Sequence, residues 1–438
     1  MAMKGMQIYK LLPKTNCKDC GSPTCLAFAM KLAAGKAEIQ QCPHASDECK
    51  AKLGAATEPL IRPVKLKEGR EIGNETVLFR HEKRFNNHPL LGLKVKSSQG
   101  VEKAMESARR LKRWKLERLG MELRPETLMI EDDGEGFVEV ATSVKEGFPD
   151  MALILWSRKS SALAEASQGL ERAVLGPVGK DKREELRDLA KERGAVLALE
   201  GSFDEICDMT QRFRDEDFKD LLIVPQGQGA KALLQGNTTA RRAALTKEDR
   251  RLGFPLLNFI DTSQGSLAAA FDSSLAICKY GSVLIFQEPS TALLSSQLFL
   301  RQHIYTDPQK PIQMEEKVYE IGEVTPRSPV FVTANFSLTY YLVQSEIESS
   351  GESAYLAVLD TEGMGVLTAW AAGTFTGEKI GAFIKKSGIQ EKLEQRKIVI
   401  PGYVAKISGE LEDQVPDWEV IVGPQEAQDI PSFIQAKL

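Results

Sequence analysis

Hydrophobic positions in the middle of the chain form short runs separated by amphipathic stretches. The runs are "TVLF" at residues 76–79 and, further on, "LGLKV", "ALILW", "AVLAL", "DLLIV", "LLNFI" and "SVLIF". Stretches between them, such as "KREELRDLAKERG", have apolar residues at helical spacing and end near glycine. Strands that alternate with helices predict a parallel α/β domain over residues 76–305. The number of runs favours a TIM (β/α)8 barrel over an open sheet.

Polar residues follow the first of these runs directly, in "RHEKRFNNHP". If "TVLF" is the first barrel strand, Arg80, His81, Glu82, Lys83 and His88 lie at the barrel mouth, where active sites form. These residue types do not combine into a known catalytic triad, so the sequence assigns the barrel no chemistry of its own.

The same alternation restarts after a segment rich in proline and charge, residues 306–327, which we interpret as a linker. The runs "VFVTA", "YLAVLDTEGMGVLTAW", "KIVIPGY" and "EVIVGPQ" predict strands, the second of them one or two. Helices are predicted in "FSLTYYLVQSEIESSG", "FTGEKIGAFIKKSG" and "AQDIPSFIQAKL". Residues 328–438 are therefore expected to form a doubly wound, Rossmann-like α/β domain.

Small residues dominate the predicted strand-to-helix junctions of this domain, "TANFSLT", "WAAGTFTGEK" and "IPGYVAKISG". They contain neither a G-x-G-x-x-G fingerprint nor a Walker lysine. A shallow, neutral surface of this kind suits a large, flat ligand with amide groups at its edge. Ordinary helix capping by Asn335, Ser337 and Thr374 explains each residue singly and stays open as an alternative.

Four cysteines crowd the N-terminal region, in "NCKDCGSPTCLAF" and "QQCPHA". Cys17, Cys20, Cys25 and Cys42 have the spacing C-x2-C-x4-C-x16-C. Gly21 and Pro23 predict a tight loop, and "CLAFAMKLAAGKAEI" predicts a helix that ends near Gly35. We assign residues 1–57 to a small Fe–S domain and residues 58–75, within a stretch rich in charge, proline and glycine, to a linker.

Four thiolates suit zinc or an iron–sulfur cluster. Structural zinc commonly takes two C-x2-C pairs, whereas this chain has one pair, a lone cysteine and a distant Cys-Pro step. The spacing therefore favours a [4Fe-4S] cluster over zinc, with four free thiols as the plain alternative. We interpret Cys49 as a bystander, and Cys207 and Cys278 as core residues.

Composition narrows the class of protein. Of the 438 residues, 42% are hydrophobic and 27% charged, and the net charge is −4. These values are typical of a globular protein and give no reason to expect a nucleic-acid or membrane partner. The N-terminus lacks the apolar core of a secretion signal, and an odd number of cysteines argues against a disulfide framework. We expect a cytoplasmic, metal-binding protein.

The whole chain resembles the large (gamma) subunit of the corrinoid iron–sulfur protein of the reductive acetyl-CoA (Wood–Ljungdahl) pathway of carbon fixation. The resemblance is carried by "NCKDCGSPTCLAFA" with Cys42, by the barrel-like middle, and by "VFVTANFSLTYYLV" and "WAAGTFTGEKI". It implies a [4Fe-4S] domain, a TIM barrel and a Rossmann-like domain that binds a cobalamin-type corrinoid. It also implies a heterodimer with a smaller barrel subunit.

The function implied by this resemblance is that of a methyl carrier, not of a stand-alone enzyme. The corrinoid cobalt would accept a methyl group from methyltetrahydrofolate, through a separate methyltransferase, and donate it to acetyl-CoA synthase. The cluster, fed by a low-potential donor such as ferredoxin, would return inactive Co(II) to Co(I). The cysteines then serve to reactivate the cofactor, which performs the difficult chemistry.

The corrinoid contacts expected from the junctions and the resemblance are Asn335, Thr339, Gly373, Thr374, Phe375, Thr376, Gly377, Gly402, Tyr403 and Ala405. Thr374 is placed by the resemblance beneath the cobalt. The four histidines are His44, His81, His88 and His303, so no imidazole follows residue 303. We therefore expect a base-off cobalt without a protein histidine ligand.

Two other functions remain possible on the sequence alone. One is an iron–sulfur electron-transfer subunit with a scaffold barrel, and the other is a pterin-dependent barrel methyltransferase. Cobalt in the anaerobically purified protein would exclude the first. Methyl transfer from a pterin by this chain alone would favour the second.

Overall fold

The computed structural model describes residues 5–33, 37, 39–46, 49–50, 58–119, 121–227, 229–308 and 311–438. The chain forms two compact units. The first comprises Met1–Trp114 with Arg124–Tyr305, and the second comprises Lys115–Leu123 with Thr306–Leu438. The second unit thus takes a short segment from within the sequence of the first. Within the described ranges, no helix combines the length and apolar character that a membrane span requires.

A closed barrel of eight parallel strands, each followed by a helix, dominates the first unit and confirms the predicted barrel. With strands numbered along the chain, a hairpin of β1 (Val64–Lys65) and β2 (Glu71–Ile72) precedes it. The barrel strands are β3 (Leu90–Lys96), β6 (Thr127–Glu131), β7 (Ala152–Trp156), β8 (Val174–Val178), β9 (Val196–Gly201), β10 (Leu221–Pro225), β11 (Leu256–Ile260) and β12 (Gly281–Gln287). They follow one another around the ring in sequence order, and β12 pairs with β3 to close it.

The helices of the first unit surround this barrel or belong to the N-terminal module. The module has helices Gly5–Leu11 and Cys25–Ala33, the second as predicted; its expected end near Gly35 lies outside the described residues. The barrel helices are Gly100–Arg113, Phe137–Gly147, Ser160–Ala166, Arg183–Arg193, Phe203–Asp215, Gly229–Thr246, Ser266–Cys278 and Thr291–Ile304.

The prediction that "TVLF" forms the first barrel strand is wrong. Residues 76–89 contain no strand, and Phe79 is 46% exposed, with its ring stacked on that of His81 at a centroid distance of 5.7 Å. Since β3 begins only at Leu90, the polar residues 80–88 precede the first strand and lie away from the barrel mouth. Arg80 instead donates hydrogen bonds to the carbonyl oxygens of His303 and Ile304, at the end of the last barrel helix.

The segment 58–75, predicted as a linker, is packed structure. Val64, Leu66 and Ile72 of its hairpin belong to the hydrophobic cluster inside the barrel, and Val64 is fully buried. The hairpin is fixed by Arg172, which donates to the Lys65 carbonyl oxygen at 2.7 Å. The short strands were missed because prolines and charges surround them. Residues 51–57, at the end of the predicted Fe–S domain, lie outside the described residues.

A cluster of charged side chains anchors the start of this segment. Glu58 accepts hydrogen bonds from Arg214, at 2.9 and 3.1 Å, and pairs with Arg62 and Arg250. Burial alone would raise the pKa of Glu58. The Arg214 hydrogen bonds and the charge of Arg62 outweigh burial and hold that pKa below its ordinary value. The carboxylate is therefore ionised at neutral pH and ties the chain to the barrel.

A buried ion pair joins the last barrel helix to the loop before β6. Arg301 and Glu126 lie 2.7 Å apart, and their side chains are 5% and 2% exposed. Arg301 also donates to the Pro89 carbonyl oxygen at 2.9 Å. We expect Arg301→Met to destabilise the barrel by about 3 kcal/mol, because the buried carboxylate loses its 2.7 Å partner and, among the described residues, keeps only the ion pair with Arg70, at 3.4 Å.

Urea unfolding with far-ultraviolet circular dichroism would measure this effect. Lys103→Met is the matched control, since the Lys103–Glu106 pair at 3.2 Å is exposed. That variant should change stability by less than about 0.5 kcal/mol. Equal shifts of the unfolding midpoint in both variants would contradict the assigned role of Arg301.

The second unit is a five-stranded sheet with helices on both faces. Its sheet strands are β13 (Lys317–Ile321), β14 (Val330–Ala334), β15 (Ala354–Leu359), β16 (Lys397–Ile400) and β17 (Glu419–Val422), in the order β13-β15-β14-β16-β17. All neighbours are parallel except the edge strand β13. The helices are Ser337–Ser349, Val366–Ala371, Gly377–Ser387, Ser408–Gln414 and Ile430–Lys437.

Three features of this unit differ from the sequence prediction. The segment 306–327, predicted as a linker, contains the edge strand β13, whose two charged residues are exposed and whose burial does not alternate, so it gave no strand signal. "GVLTAW" is a helix and not a second strand, so "WAAGTFTGEK" joins two helices. The hairpin β4 (Leu116–Arg118) and β5 (Met121–Leu123) also belongs here, and the Leu119 amide donates to the Tyr341 hydroxyl at 3.0 Å.

Candidate functional site

The cysteine loop of the N-terminal module has an unusual backbone. Lys14, Asn16 and Lys18 all have positive φ, at 59°, 50° and 70°, and Gly21 has the predicted positive φ of 72°. Three non-glycine residues in the left-handed region within five positions carry a conformational cost that the loop must offset. Strain of this kind concentrates at functional sites, and here it surrounds Cys17.

Asn16 links this loop to the start of the second helix. The Asn16 side-chain oxygen accepts a hydrogen bond from the backbone amide of Cys25 at 2.8 Å. The backbone amide of Asn16 donates to Cys25 Sγ at 3.3 Å. An N–H group aimed at a sulfur stabilises a thiolate, and hydrogen bonds to ligand sulfurs tune the potential of an iron–sulfur cluster. The donor chemistry of Cys25 therefore fits a cluster ligand.

Three of the four predicted cysteine ligands, Cys20, Cys25 and Cys42, belong to or pack against one small core, and Cys17 does not. Cys25 and Cys42 are 6% and 3% exposed and pack with Phe28 and Leu32, whereas Cys17 and Cys20 are partly exposed. Cys49 shares this core, but its thiol donates to the Leu11 carbonyl oxygen at 3.1 Å. Burial raises the pKa of Cys49, which favours the protonated thiol over a ligating thiolate.

The spacing of the sulfurs argues against a single zinc ion. Four sulfurs at about 2.3 Å from one tetrahedral zinc would lie roughly 3.8 Å apart. In the part of the chain that the structure describes, no three cysteine sulfurs lie within 4.8 Å of one another; the ligand atoms that do lie that close belong to Cys17, Asp19 and His44. A cluster of several iron and sulfide ions is wider than one ion and fits a looser arrangement.

Charged groups surround the loop. His44 and Asp19 form an ion pair at 2.7 Å, and the hydrogen bonds from His44 and then Cys17 hold the pKa of Asp19 below its ordinary value. Lys10, Lys14, Lys18 and Lys31 are exposed on the same module. Their positive charge offsets the negative charge of four thiolates. The two remaining cysteines, Cys207 and Cys278, are partly buried elsewhere in the first unit, and burial raises the pKa of both thiols.

A second candidate site lies in the second unit, at the carboxyl ends of the parallel strands. The strand order places β14 between β15 and β16, so successive strands are added on one side of β14 and then on the other, and the order switches between β14 and β16. Ligands of doubly wound sheets bind at such a switch point. A cleft of about 320 Å³ opens there. It is lined mainly by apolar groups from three loops, including Val366, Leu367, Pro401, Pro424 and Ile430.

Two of the predicted corrinoid contacts, Thr339 and Tyr403, line this cleft. Gly402 is next to Tyr403 but packs against protein. A Cβ atom at this position would come within 2.6 Å of the Gly423 carbonyl oxygen. The Tyr403 hydroxyl donates to Glu426 and ties the same two loops together. Ala405 is half-buried in the short 3-10 helix Gly402–Ile407 that follows.

Asn335 is 2% exposed and organises the loop after β15. Its side-chain oxygen accepts hydrogen bonds from the Thr361 amide and hydroxyl and from the Gly363 amide, at 2.8 to 3.1 Å. Its amide nitrogen donates to Asp360 at 2.9 Å. The residue shapes the rim of the cleft, and its polar atoms are already occupied by protein.

The residues from 373 to 377 do not line the cleft but form the turn between two helices. Gly373 has φ of +71°, and the hydroxyl of half-buried Thr374 donates to the Ala369 carbonyl oxygen at 3.1 Å. Phe375 is fully buried in the core, and Thr376 caps the next helix by accepting from the Lys379 amide. A Cβ atom on Gly377 would come within 2.6 Å of the Leu411 amide, so helix packing requires this glycine.

Most residues of the cleft wall were not predicted from the sequence. Two of the segments that form the wall are far apart along the chain, namely Gly365–Thr368 and Gly423–Ala427. Exposed apolar side chains extend the surface around it, since Leu338, Leu342, Leu367 and Trp370 are each 36% to 58% exposed. No local motif marks these loops, because only the strand order brings them together.

Family models match almost the whole chain. A model described as CO dehydrogenase/acetyl-CoA synthase delta subunit matches residues 64–434. A model of a candidate Fe–S cluster matches residues 12–44, which include Cys17, Cys20, Cys25 and Cys42.

Full-length relatives match this chain over both the N-terminal cysteine region and the two α/β domains. The chain is 37% identical over 447 residues to the corrinoid/iron-sulfur protein large subunit of Moorella thermoacetica, which covers 100% of both chains. It is 30% identical over 454 residues to the acetyl-CoA decarbonylase/synthase complex subunit gamma of Methanothermobacter thermautotrophicus, with 99% of each chain covered. The subunit gamma of Methanopyrus kandleri is also 30% identical, over 99% of this chain and 97% of that protein.

Proposed function

The chain belongs to the family of corrinoid/iron-sulfur large (gamma) subunits, and from this premise we propose that it carries a methyl group on a bound corrinoid and keeps the cobalt reduced with its own [4Fe-4S] cluster. The observation that carries the proposal is the presence on one chain of a four-cysteine loop and an apolar cleft at a sheet switch point. The first suits a redox cluster and the second a large cofactor.

Cys17, Cys20, Cys25 and Cys42 would hold the cluster. The hydrogen bond from Asn16 to Cys25 Sγ stabilises thiolate charge, and the exposed lysines reduce the electrostatic cost of a reduced cluster. The lysines also suit docking of an acidic, low-potential donor such as ferredoxin. When bound, the cluster would supply the single electron that returns Co(II) to Co(I), and the docked donor would be the source of that electron.

The cleft of the second unit would hold one part of the corrinoid. A corrinoid with its tail far exceeds 320 Å³, so the macrocycle would spread over the exposed apolar rim. When bound, the corrinoid supplies the cobalt that accepts and donates the methyl group. Thr339 and Tyr403 line the cleft, and Gly365 leaves space beside them.

The chain also determines what lies beneath the cobalt. The second unit contains no histidine in its sequence, so it offers no imidazole ligand. Thr374 lies outside the cleft, and in the proposal it would have a positioning role toward a water near the bound cofactor. Its hydroxyl proton is directed to the Ala369 carbonyl oxygen, which leaves an oxygen lone pair for a water. Without a protein imidazole as a donor, reduction of the bound cobalt would be easier.

The proposed partners are a second subunit and the enzymes that would donate and accept the methyl group. They are a smaller subunit that completes a heterodimer, a methyltetrahydrofolate methyltransferase as donor enzyme, and acetyl-CoA synthase as acceptor. The relatives from Methanothermobacter and Methanopyrus are named as subunits of an acetyl-CoA decarbonylase/synthase complex.

Transfer of a labelled methyl group tests the proposal. The chain, copurified with its small subunit, is reduced and mixed with labelled methyltetrahydrofolate and the methyltransferase. We expect one label per cobalt on the corrinoid, and none when the methyltransferase is left out. Labelling without the methyltransferase would favour a barrel methyltransferase. No labelling of a fully reduced, cobalt-loaded complex would overturn the proposal.

A further inference from the structure

The carboxyl-terminal mouth of the barrel holds a cavity that the methyl-carrier role does not use. Its volume is about 620 Å³, which is in the range of small-molecule sites. Side chains from the ends of several barrel strands line it, and active sites of this fold lie at the same face.

The inward-facing side chains of the barrel change from apolar to charged toward this mouth. Deeper in the barrel they are aliphatic, as at Val224, Leu257 and Ile285. At the top they become Lys94 on β3, Glu131 on β6 and Glu200 on β9. The side chains of Lys94, Glu131 and Glu200 are 17%, 26% and 30% exposed, so this charged layer is open to a ligand.

The carboxylates of the mouth retain free acceptor sites. Glu131 Oε2 pairs with Lys94 at 3.0 Å, and Glu200 Oε2 pairs with Arg158 at 3.0 Å. Within the described residues, the Oε1 atom of each carboxylate has no hydrogen-bond partner. Asp261 adds a third carboxylate to the lining, so acids outnumber bases by three to two. The mouth therefore favours a ligand that donates hydrogen bonds and carries positive or no charge.

An aromatic surface lies beside these carboxylates. The Trp156 and Phe259 rings meet edge to face, with centroids 5.2 Å apart. Gly176, on the neighbouring strand, leaves space for the indole, since a Cβ atom there would come within 2.6 Å of it. A flat or cationic group gains from contact with such a ring.

We propose that the barrel mouth binds a small, flat, nitrogen-rich group of the amidinium or aminopyrimidine class. One face of the group lies against Trp156, and its N–H edges donate to Glu131 and Glu200. These two residues stand three strands apart around the ring, so they flank a ligand at the centre of the mouth. The residues that line this site include none of the four cysteines and none of the residues that line the cleft.

Calorimetric titration of the full chain with benzamidine tests this proposal, with benzoate as the anionic analogue of the same shape. We expect benzamidine to bind at least tenfold more tightly than benzoate. Glu200→Gln should weaken benzamidine binding roughly tenfold, because it removes one charge-assisted hydrogen bond. The Glu200 substitution should leave the fold intact, since its partner Arg158 is 79% exposed and can remain solvated.

Two further variants distinguish a specific loss of benzamidine binding from a general loss of protein structure. Glu165→Gln removes the same charge from an exposed helix position away from the cavity and should leave benzamidine binding unchanged. Lys94→Met removes the cation beside Glu131 and should strengthen binding. Iron and cobalt contents should be normal in all three. Equal affinity for benzamidine and benzoate, or equal losses in the Glu200 and Glu165 variants, would overturn the proposal.

Discussion

Replacing Cys42 with serine is expected to remove the iron–sulfur cluster while leaving the rest of the protein folded. Cys42 is 3% exposed, and its amide donates to the Ile39 carbonyl oxygen at 3.0 Å, so its position is set by the surrounding turn. Serine keeps that backbone geometry but offers a hard oxygen in place of a soft thiolate. Iron content and the visible charge-transfer absorption should fall by more than half.

The functional consequence should be selective. Reductive reactivation of Co(II) should slow by at least tenfold in the Cys42→Ser variant, since the electron route through the cluster is lost. Methyl transfer from a cofactor already reduced by a chemical reductant should stay within twofold of the unaltered protein. Slowing of both steps to the same extent would show that the cluster does more than supply electrons.

Cys49→Ser is the matched control for this experiment. Both cysteines are buried in the same core, but the Cys49 thiol donates to the Leu11 carbonyl oxygen, a bond that serine can reproduce. Iron content should therefore be unchanged. Loss of iron in the Cys49 variant, with iron retained in the Cys42 variant, would reverse the ligand assignment.

Filling the cleft of the second unit should abolish corrinoid uptake. Gly365 lies at the cleft wall, and a Cβ atom there meets only Phe336 and Thr339, at 3.7 and 3.8 Å. Its φ of −68° is accessible to any residue. Gly365→Leu should thus fold normally while its side chain occupies space that the ligand needs. We expect cobalt per chain to fall at least tenfold, with iron unchanged.

Gly409→Leu is the control for the cleft variant. Gly409 is exposed, and a Cβ atom there would have no neighbour within 4 Å, so leucine adds apolar surface away from the cleft. Cobalt should remain at the level of the unaltered protein. Gly373→Leu is a weaker test, because its φ of +71° would strain leucine whether or not a ligand binds. Full cobalt loading of the Gly365 variant would remove the cleft from the proposed site.

The barrel was largely predictable from sequence because parallel strands buried on both faces are continuous apolar runs. Six of the predicted runs lie in barrel strands. The two strands that were not predicted are "TLMIE" of β6 and "VLGPV" of β8, and the second was hidden by its glycine and proline. The hairpin of β1 and β2 was missed for a different reason. Two-residue strands leave no periodic pattern, and their burial depends on the barrel that they cover.

The two candidate sites differ in how far local sequence defines them. The proposed cysteine ligands lie within 26 residues and have a recognisable spacing, so the sequence alone is enough to propose them. The cleft depends on the order of strands in the sheet, which places residues near 339, 366, 403 and 425 together. Sequence patterns around single junctions identified Thr339 and Tyr403, but they also selected Phe375, which is core, and Gly377, which packs against a neighbouring helix.

The central claim is that one chain holds both a [4Fe-4S] cluster and a corrinoid. Metal analysis of the protein, purified without oxygen together with its small subunit, tests it most directly. We predict four iron atoms and one cobalt atom per heterodimer, with a Co(II) paramagnetic resonance signal that lacks nitrogen splitting from an axial base. Iron without cobalt, or zinc in place of iron, would contradict the account.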